Sequence, residues 1–110
     1  MNDRLLSLLG ICRRAGRLVI GADPVKEAIE TDKAFLVICA SDISQNTEKK
    51  IRMAVETKGT VEYHIIDRTK DELSFSLGKT CAVLAVIDKG FADKFTELIE
   101  AEQKKEETTI

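Results

Sequence analysis

The sequence predicts a single α/β sandwich: a four-stranded sheet with helices on both faces. Three observations carry that reading. Continuous apolar runs of strand length, "FLVICA" at 35–40 and "AVLAVI" at 82–87, mark strands covered on both sides. Between the strand candidates lie segments whose apolar residues recur at helical spacing, with start and stop signals of their own. The 110 residues contain no repeat and no linker, and they suffice for one core.

The elements follow in order. Asn2 or Asp3 caps a first helix that carries Leu5, Leu6, Leu8, Leu9 and Cys12 on its inner face and ends near Gly16. Leu18-Val19-Ile20 reads as a short strand, broken by Gly21. Asp23 then stands where an N-cap belongs, with Pro24 at the first helical position, where a missing N–H costs nothing. Val25, Ala28 and Ile29 form that helix's apolar stripe. After the strand at 35–40, Ser44 or Asn46 caps a third helix, in which Ile51, Met53, Ala54 and Val55 are apolar and the lysines face out; Gly59 ends it.

"VEYHII" at 61–66 is the third strand. "TKDEL" fits a capping box, Thr69 at the N-cap and Glu72 at N3, for a short helix that stops at Gly78. The strand at 82–87 precedes a last helix over about 90–101, carrying Phe91, Phe95, Leu98 and Ile99. The polar end "EQKKEETTI" is expected to fray. One domain over 1–101 with a polar, acidic tail at 102–110 is the expected organisation.

Composition narrows the function. A chain that is 44% apolar and 33% charged is globular rather than disordered. Its net charge of -2 does not announce a nucleic-acid binder. The acids concentrate late, however: Asp93, Glu97, Glu100, Glu102, Glu106 and Glu107 outnumber Lys94, Lys104 and Lys105. The remaining body is near neutral, so any basic face is local. Cys12, Cys39 and Cys81 lie in apolar runs without a CxxC pair, and read as small buried hydrophobes rather than a disulfide or zinc framework. The apolar start "LLSLLGIC" is too short to cross a bilayer, and no signal-peptide pattern follows it. A soluble cytoplasmic protein without a membrane partner is expected.

The motifs point away from catalysis. "LGKT" at 77–80 resembles the end of a phosphate-binding P-loop, but Leu73 occupies the required glycine position and the strand–loop–helix order is reversed. Gly78 reads instead as a helix C-cap, which leaves Lys79 and Thr80 available for another role. His64 lies mid-strand with no nucleophile placed beside it by motif, so it is expected half-exposed rather than catalytic. Asp42, Asp67 and Asp88 each follow a strand, where loops place polar residues. No metal-ligand spacing occurs. No enzyme activity, cofactor or metal is expected. Arg13, Arg14 and Arg17 read as cations at a helix end, with phosphate contact as the alternative. With 5% aromatics and no tryptophan, sheet-borne base-stacking platforms are unsupported. Gly21 and the helix after it offer an anion site. On these residues alone, a capped helix is the simpler reading.

Taken together, "LLGICRRAGRLVIG", "FLVICASDISQNTEKKI", "DELSFSLGK" and "AVIDKGFADKF" resemble the YlxQ-type bacterial branch of the kink-turn RNA-binding ribosomal protein family, over about Leu5 to Phe95. The resemblance implies a three-layer α/β/α sandwich with a mixed four-stranded sheet. It also implies a non-catalytic RNA-binding protein, associated with the ribosome or another RNP, whose partner is rRNA or another kink-turn RNA, with ribosomal or other proteins as further partners.

In the family, the start of the second helix reads tandem sheared G·A pairs, here through Gly21, Ala22, Asp23, Lys26 and Glu27. The loop before the last strand meets looped-out nucleotides. Here Lys79 and Thr80 would hold phosphate, Cys81 and Ala82 would lie against the extruded bases, and the turn Ser41-Asp42 would stand alongside. Strong binders carry Asn-Glu at the helix start and a lysine three positions later; the matching residues here are Asp23, Pro24 and Glu27. The alternative reading is a protein-interaction module on the same scaffold, with weakened or lost kink-turn binding.

Overall fold

The computed structural model describes residues 3–107; Asn2 and residues 108–110 lie outside them. Five helices and four strands alternate: α1 (Arg4–Arg14), β1 (Leu18–Ile20), α2 (Ala22–Glu30), β2 (Leu36–Cys39), α3 (Gln45–Lys58), β3 (Glu62–Ile65), α4 (Lys70–Leu77), β4 (Val83–Val86) and α5 (Lys89–Glu107). The sheet order is β1-β4-β2-β3. β4 runs antiparallel to β1 and to β2, and β2 runs parallel to β3, so the sheet is mixed.

The two central strands, β2 and β4, are buried along their whole length, as their unbroken apolar runs predict. Their side chains alternate between two cores. Leu36, Ile38, Leu84 and Val86 meet Leu5, Leu9, Leu73, Leu77, Phe95 and Ile99 from α1, α4 and α5. Val37, Cys39, Val83 and Ala85 meet Val25, Ile29, Ile51 and Val55 from α2 and α3. Helices therefore cover both faces, giving three layers. The edge strands are less covered, and His64 on β3 is half-buried with its Nε2 3.6 Å from a Glu62 carboxylate oxygen.

Most helix starts follow their sequence signals. Asp3 caps α1 by accepting from the Leu6 N–H (3.1 Å), and Ser44, rather than Asn46, caps α3 by accepting from the Thr47 N–H (3.3 Å). The Thr69–Glu72 capping box is complete, and Gly78 ends α4 in the left-handed conformation. On α3, Ile51 and Val55 face the core one turn apart, whereas Met53 falls on the opposite side and is exposed.

Two expectations are corrected. α2 starts at Ala22 with Gly21 as its N-cap, so Asp23 lies within the first turn and Pro24 at its third position. Gly21 holds φ 104° and ψ 153°, a conformation that lets the chain leave β1 and enter the helix without an intervening capping residue. Its N–H donates to the Val83 carbonyl (3.1 Å) and its own carbonyl accepts from Val25 (3.0 Å). No side chain caps the helix.

The last helix, expected over 90–101, starts at Lys89 and runs on to Glu107. Asp88 takes the Phe91 N–H at its start (2.9 Å). Beyond Ala101, Glu102 is held by Arg68 at 2.7 Å, a long-range contact that anchors the extension.

Candidate nucleic-acid interface

The carboxyl ends of β1, β2 and β3 and the amino end of β4 all lie at one end of the sheet, a consequence of its mixed topology. Three segments converge there. The start of α2 is joined to β4 by the Gly21–Val83 bond. The Ala82 carbonyl accepts from the Ala40 N–H (2.8 Å), which sets the Ser41-Asp42 turn beside the loop leading into β4. That turn is stitched in its own right to the start of α4: the Ser41 N–H donates to the Arg68 carbonyl and the Asp42 carboxylate accepts from the Lys70 N–H, each at 2.8 Å.

The helix start provides donors. Ala22 and Asp23 are the first residues of α2, and no side chain caps their N–H groups. Pro24 removes a third donor. Asp23 and Glu27 are exposed and Lys26 is half-buried, so the first turns of α2 present two carboxylates and one ammonium. Gly21 and Ala22 are half-buried as well.

The loop before β4 is more positive. Lys79 and Thr80 are exposed, and Lys79 makes no ion pair among the described residues. Arg13 of α1 joins them: a Cβ placed on Gly78 would lie 4.0 Å from its guanidinium. In the sequence Arg13 stands in a basic cluster at a helix end, with phosphate contact as the alternative reading, and nothing local singles it out from Arg14 and Arg17. Its position follows from α1 packing along α4, which local pattern does not reveal. Arg17 stands apart, its carbonyl accepting from Ile87 at the other end of β1.

Two expected contacts are used elsewhere. Cys81 is buried, with its N–H bonded to the Ser74 hydroxyl (3.3 Å), so its thiol packs in the core and presents nothing to a ligand. Burial raises its pKa against the opposing pull of the nearby Arg13 and Lys79 charges. The Asp42 carboxylate serves the start of α4. Ala82 remains half-buried beside the exposed Thr80. Asp88 likewise serves as a helix cap, as its place after a strand allows.

Cys12 and Cys39 are fully buried free thiols, and desolvation pushes each up to about 11. Among the described residues, no helix is long and apolar enough to cross a membrane, and no group of three or more His, Cys, Asp or Glu side chains is placed to hold a metal.

Comparisons with known proteins agree on the kinship of this architecture. Residues 3–96 match the ribosomal protein L7Ae/L30e/S12e/Gadd45 family. The chain is 32% identical over 99 residues to the RNA-binding protein YlxQ of Enterococcus faecium, covering 90% of this chain and 94% of that one. It is 36% identical over 98 residues to the RNA-binding protein YlxQ of Bacillus subtilis, covering 84% and 92%. A Bacillus halodurans protein of unknown function superposes with a TM-score of 0.83 at 30% identity, over 90% of this chain and 99% of that one. The Giardia lamblia 15.5kD RNA binding protein shares the fold, with a TM-score of 0.69 at 23% identity over 92% of each chain.

Proposed function

The chain belongs to the ribosomal protein L7Ae/L30e/S12e/Gadd45 family, and from that premise we propose that it is a non-catalytic, cytoplasmic RNA-binding protein, associated with the ribosome or another RNP, that recognises a kink-turn-like RNA. The observation that carries this reading is the convergence of the Gly21-led helix start, the Ser41-Asp42 turn and the Lys79–Ala82 loop at one end of the sheet. The two relatives named as RNA-binding proteins, each aligned over most of its length, support it.

The chemistry divides between the segments. The uncapped N–H groups of Ala22 and Asp23 offer fixed donors to phosphate oxygens or base acceptors at little entropic cost. Lys79, Thr80 and Arg13 provide the phosphate contacts, which position the RNA without reading it. The Asp23 and Glu27 carboxylates repel phosphate, so affinity is set by the opposing pull of these two groups of charges. Those same exposed carboxylates favour the second reading, a protein-interaction module on the family scaffold.

The test is the salt dependence of binding to a kink-turn RNA. Lys79→Ala weakens binding severalfold and lowers the slope of log K against log salt by about one, as the loss of one phosphate contact requires. An unchanged slope removes Lys79 from the interface.

A further inference from the structure

We propose that Phe75 is a stacking platform for one unpaired base of the bound RNA, lengthening the interface along α4; the inference rests on the RNA-binding reading above. Phe75 is 93% exposed, whereas Phe95 is fully buried. It contributes nothing to the core, because Leu73 and Leu77 carry the packing of α4 on the opposite side. A free ring on a helix is a different arrangement from the sheet-borne platforms that the low aromatic content argues against.

Its neighbours suit a nucleotide. Phe75 lies one helical turn before Gly78, and residues three apart share a helix face. The last turn of α4 is fixed to the following loop by the Cys81 N–H on the Ser74 hydroxyl. The Arg13 guanidinium lies beside Gly78, and Lys79 follows directly. Neither makes an ion pair among the described residues.

On the other side of the ring, Asp71 is exposed four residues earlier, while the Glu72 carboxylate is turned back onto the Thr69 N–H (3.0 Å). The charges are therefore graded along this face. A phosphate fits toward Arg13 and Lys79, the base fits over the ring, and Asp71 opposes any further run of backbone. The arrangement suits a single unpaired nucleotide next to the Lys79–Ala82 loop, of any sequence, since every base has a π-face.

The experiment crosses protein with RNA. The RNA is a kink-turn with tandem G·A pairs, whose unpaired loop positions carry either purines or abasic residues. The proteins are wild type, Phe75→Ala and Phe75→Trp, the last introducing the only tryptophan of the chain. Phe75→Ala is expected to bind the purine RNA about tenfold more weakly than wild type and the abasic RNA equally well. Phe75→Trp fluorescence is expected to change with the purine RNA and to stay constant with the abasic one. Equal affinities of wild type and Phe75→Ala for the purine RNA overturn the platform, as does an equal loss on both RNAs, which would show that the ring does not act through the base. Failure of wild type to bind either RNA overturns the platform together with the kink-turn reading on which it rests.

Discussion

Arg68 grips Asp3 across 65 residues of sequence, its Nε 2.7 Å from Oδ2 and its Nη2 3.1 Å from Oδ1, and holds Glu102 with the same guanidinium at 2.7 Å. One side chain thereby ties the start of α1 to the β3–α4 loop and to the far end of α5. The Arg68 side chain is largely buried, at 14% exposure, whereas Asp3 and Glu102 keep 31% and 41%. The bidentate geometry is worth more than a surface pair, although solvent screening discounts it. Arg68→Met is expected to cost about 1–2 kcal/mol in urea denaturation at neutral pH.

The pH dependence of that contact has a definite sign. Hydrogen bonding to Arg68 lowers the Asp3 pKa below its ordinary value, so the unfolded state binds the proton more readily. The stabilisation is fully present above the ordinary aspartate range near pH 4 and is lost as pH falls through the lower, folded value. Wild type should therefore lose its advantage over Arg68→Met on acidification below about pH 4. A constant difference between the two proteins from pH 7 to pH 2 contradicts the contact.

Gly21 is expected to resist substitution through conformation rather than space. A Cβ there would meet the Pro24 ring, Cδ at 3.6 Å and Cγ at 3.9 Å, both ordinary contacts, but the residue holds φ 104°. Gly21→Ala should destabilise the fold by about 1–3 kcal/mol, read as a lowered denaturation midpoint. A neutral outcome would mean that α2 starts elsewhere.

The three thiols should be silent in the folded protein. Cys12, Cys39 and Cys81 are all buried, and Cys12 and Cys39 are pushed up to about 11, so little thiolate forms at pH 8. Ellman's reagent is expected to titrate none of them within minutes in buffer and all three in urea. Rapid reaction of one thiol in buffer would place it on the surface.

Much of this architecture was legible locally, and the failures share a cause. The strands at 36–39 and 83–86 stood out because burial on both faces demands continuous apolar runs. The α4 capping box is contained within four residues. Asp23-Pro24 misled because it is a sound helix-start signature, while the positive φ of Gly21 let the helix begin two residues earlier. Pro24 remains compatible there, since the first turn needs no N–H from it. Past Ala101, α5 carries Glu102 to Arg68, some 34 residues away in sequence, and a polar segment gives no local sign of such a contact.

The candidate interface divides in the same way. Its segments could be named from motif and resemblance, but the approach of Arg13 to Gly78 and the burial of Cys81 depend on how α1, α4 and β4 pack. Phe75 stood in a helical segment without betraying that its ring is left in water.

The residues that depart from the strong-binder pattern should be correctable. Asp23→Asn, Pro24→Glu and Glu27→Lys together restore the amide, the guanine acceptor and the cation expected from the resemblance. The triple variant is expected to bind a kink-turn RNA at least about tenfold more tightly than wild type, on the scale of one recovered specific contact. Competition binding with both proteins measures the change, and an unaltered affinity would take the start of α2 out of the interface.

Direct binding of the wild-type chain to a kink-turn RNA, beside a control whose G·A pairs are made Watson–Crick, tests the central claim most directly. The account predicts binding that weakens with salt and falls sharply for the control. Equal binding to both RNAs would contradict specific recognition at the Gly21 helix start and favour the protein-interaction reading.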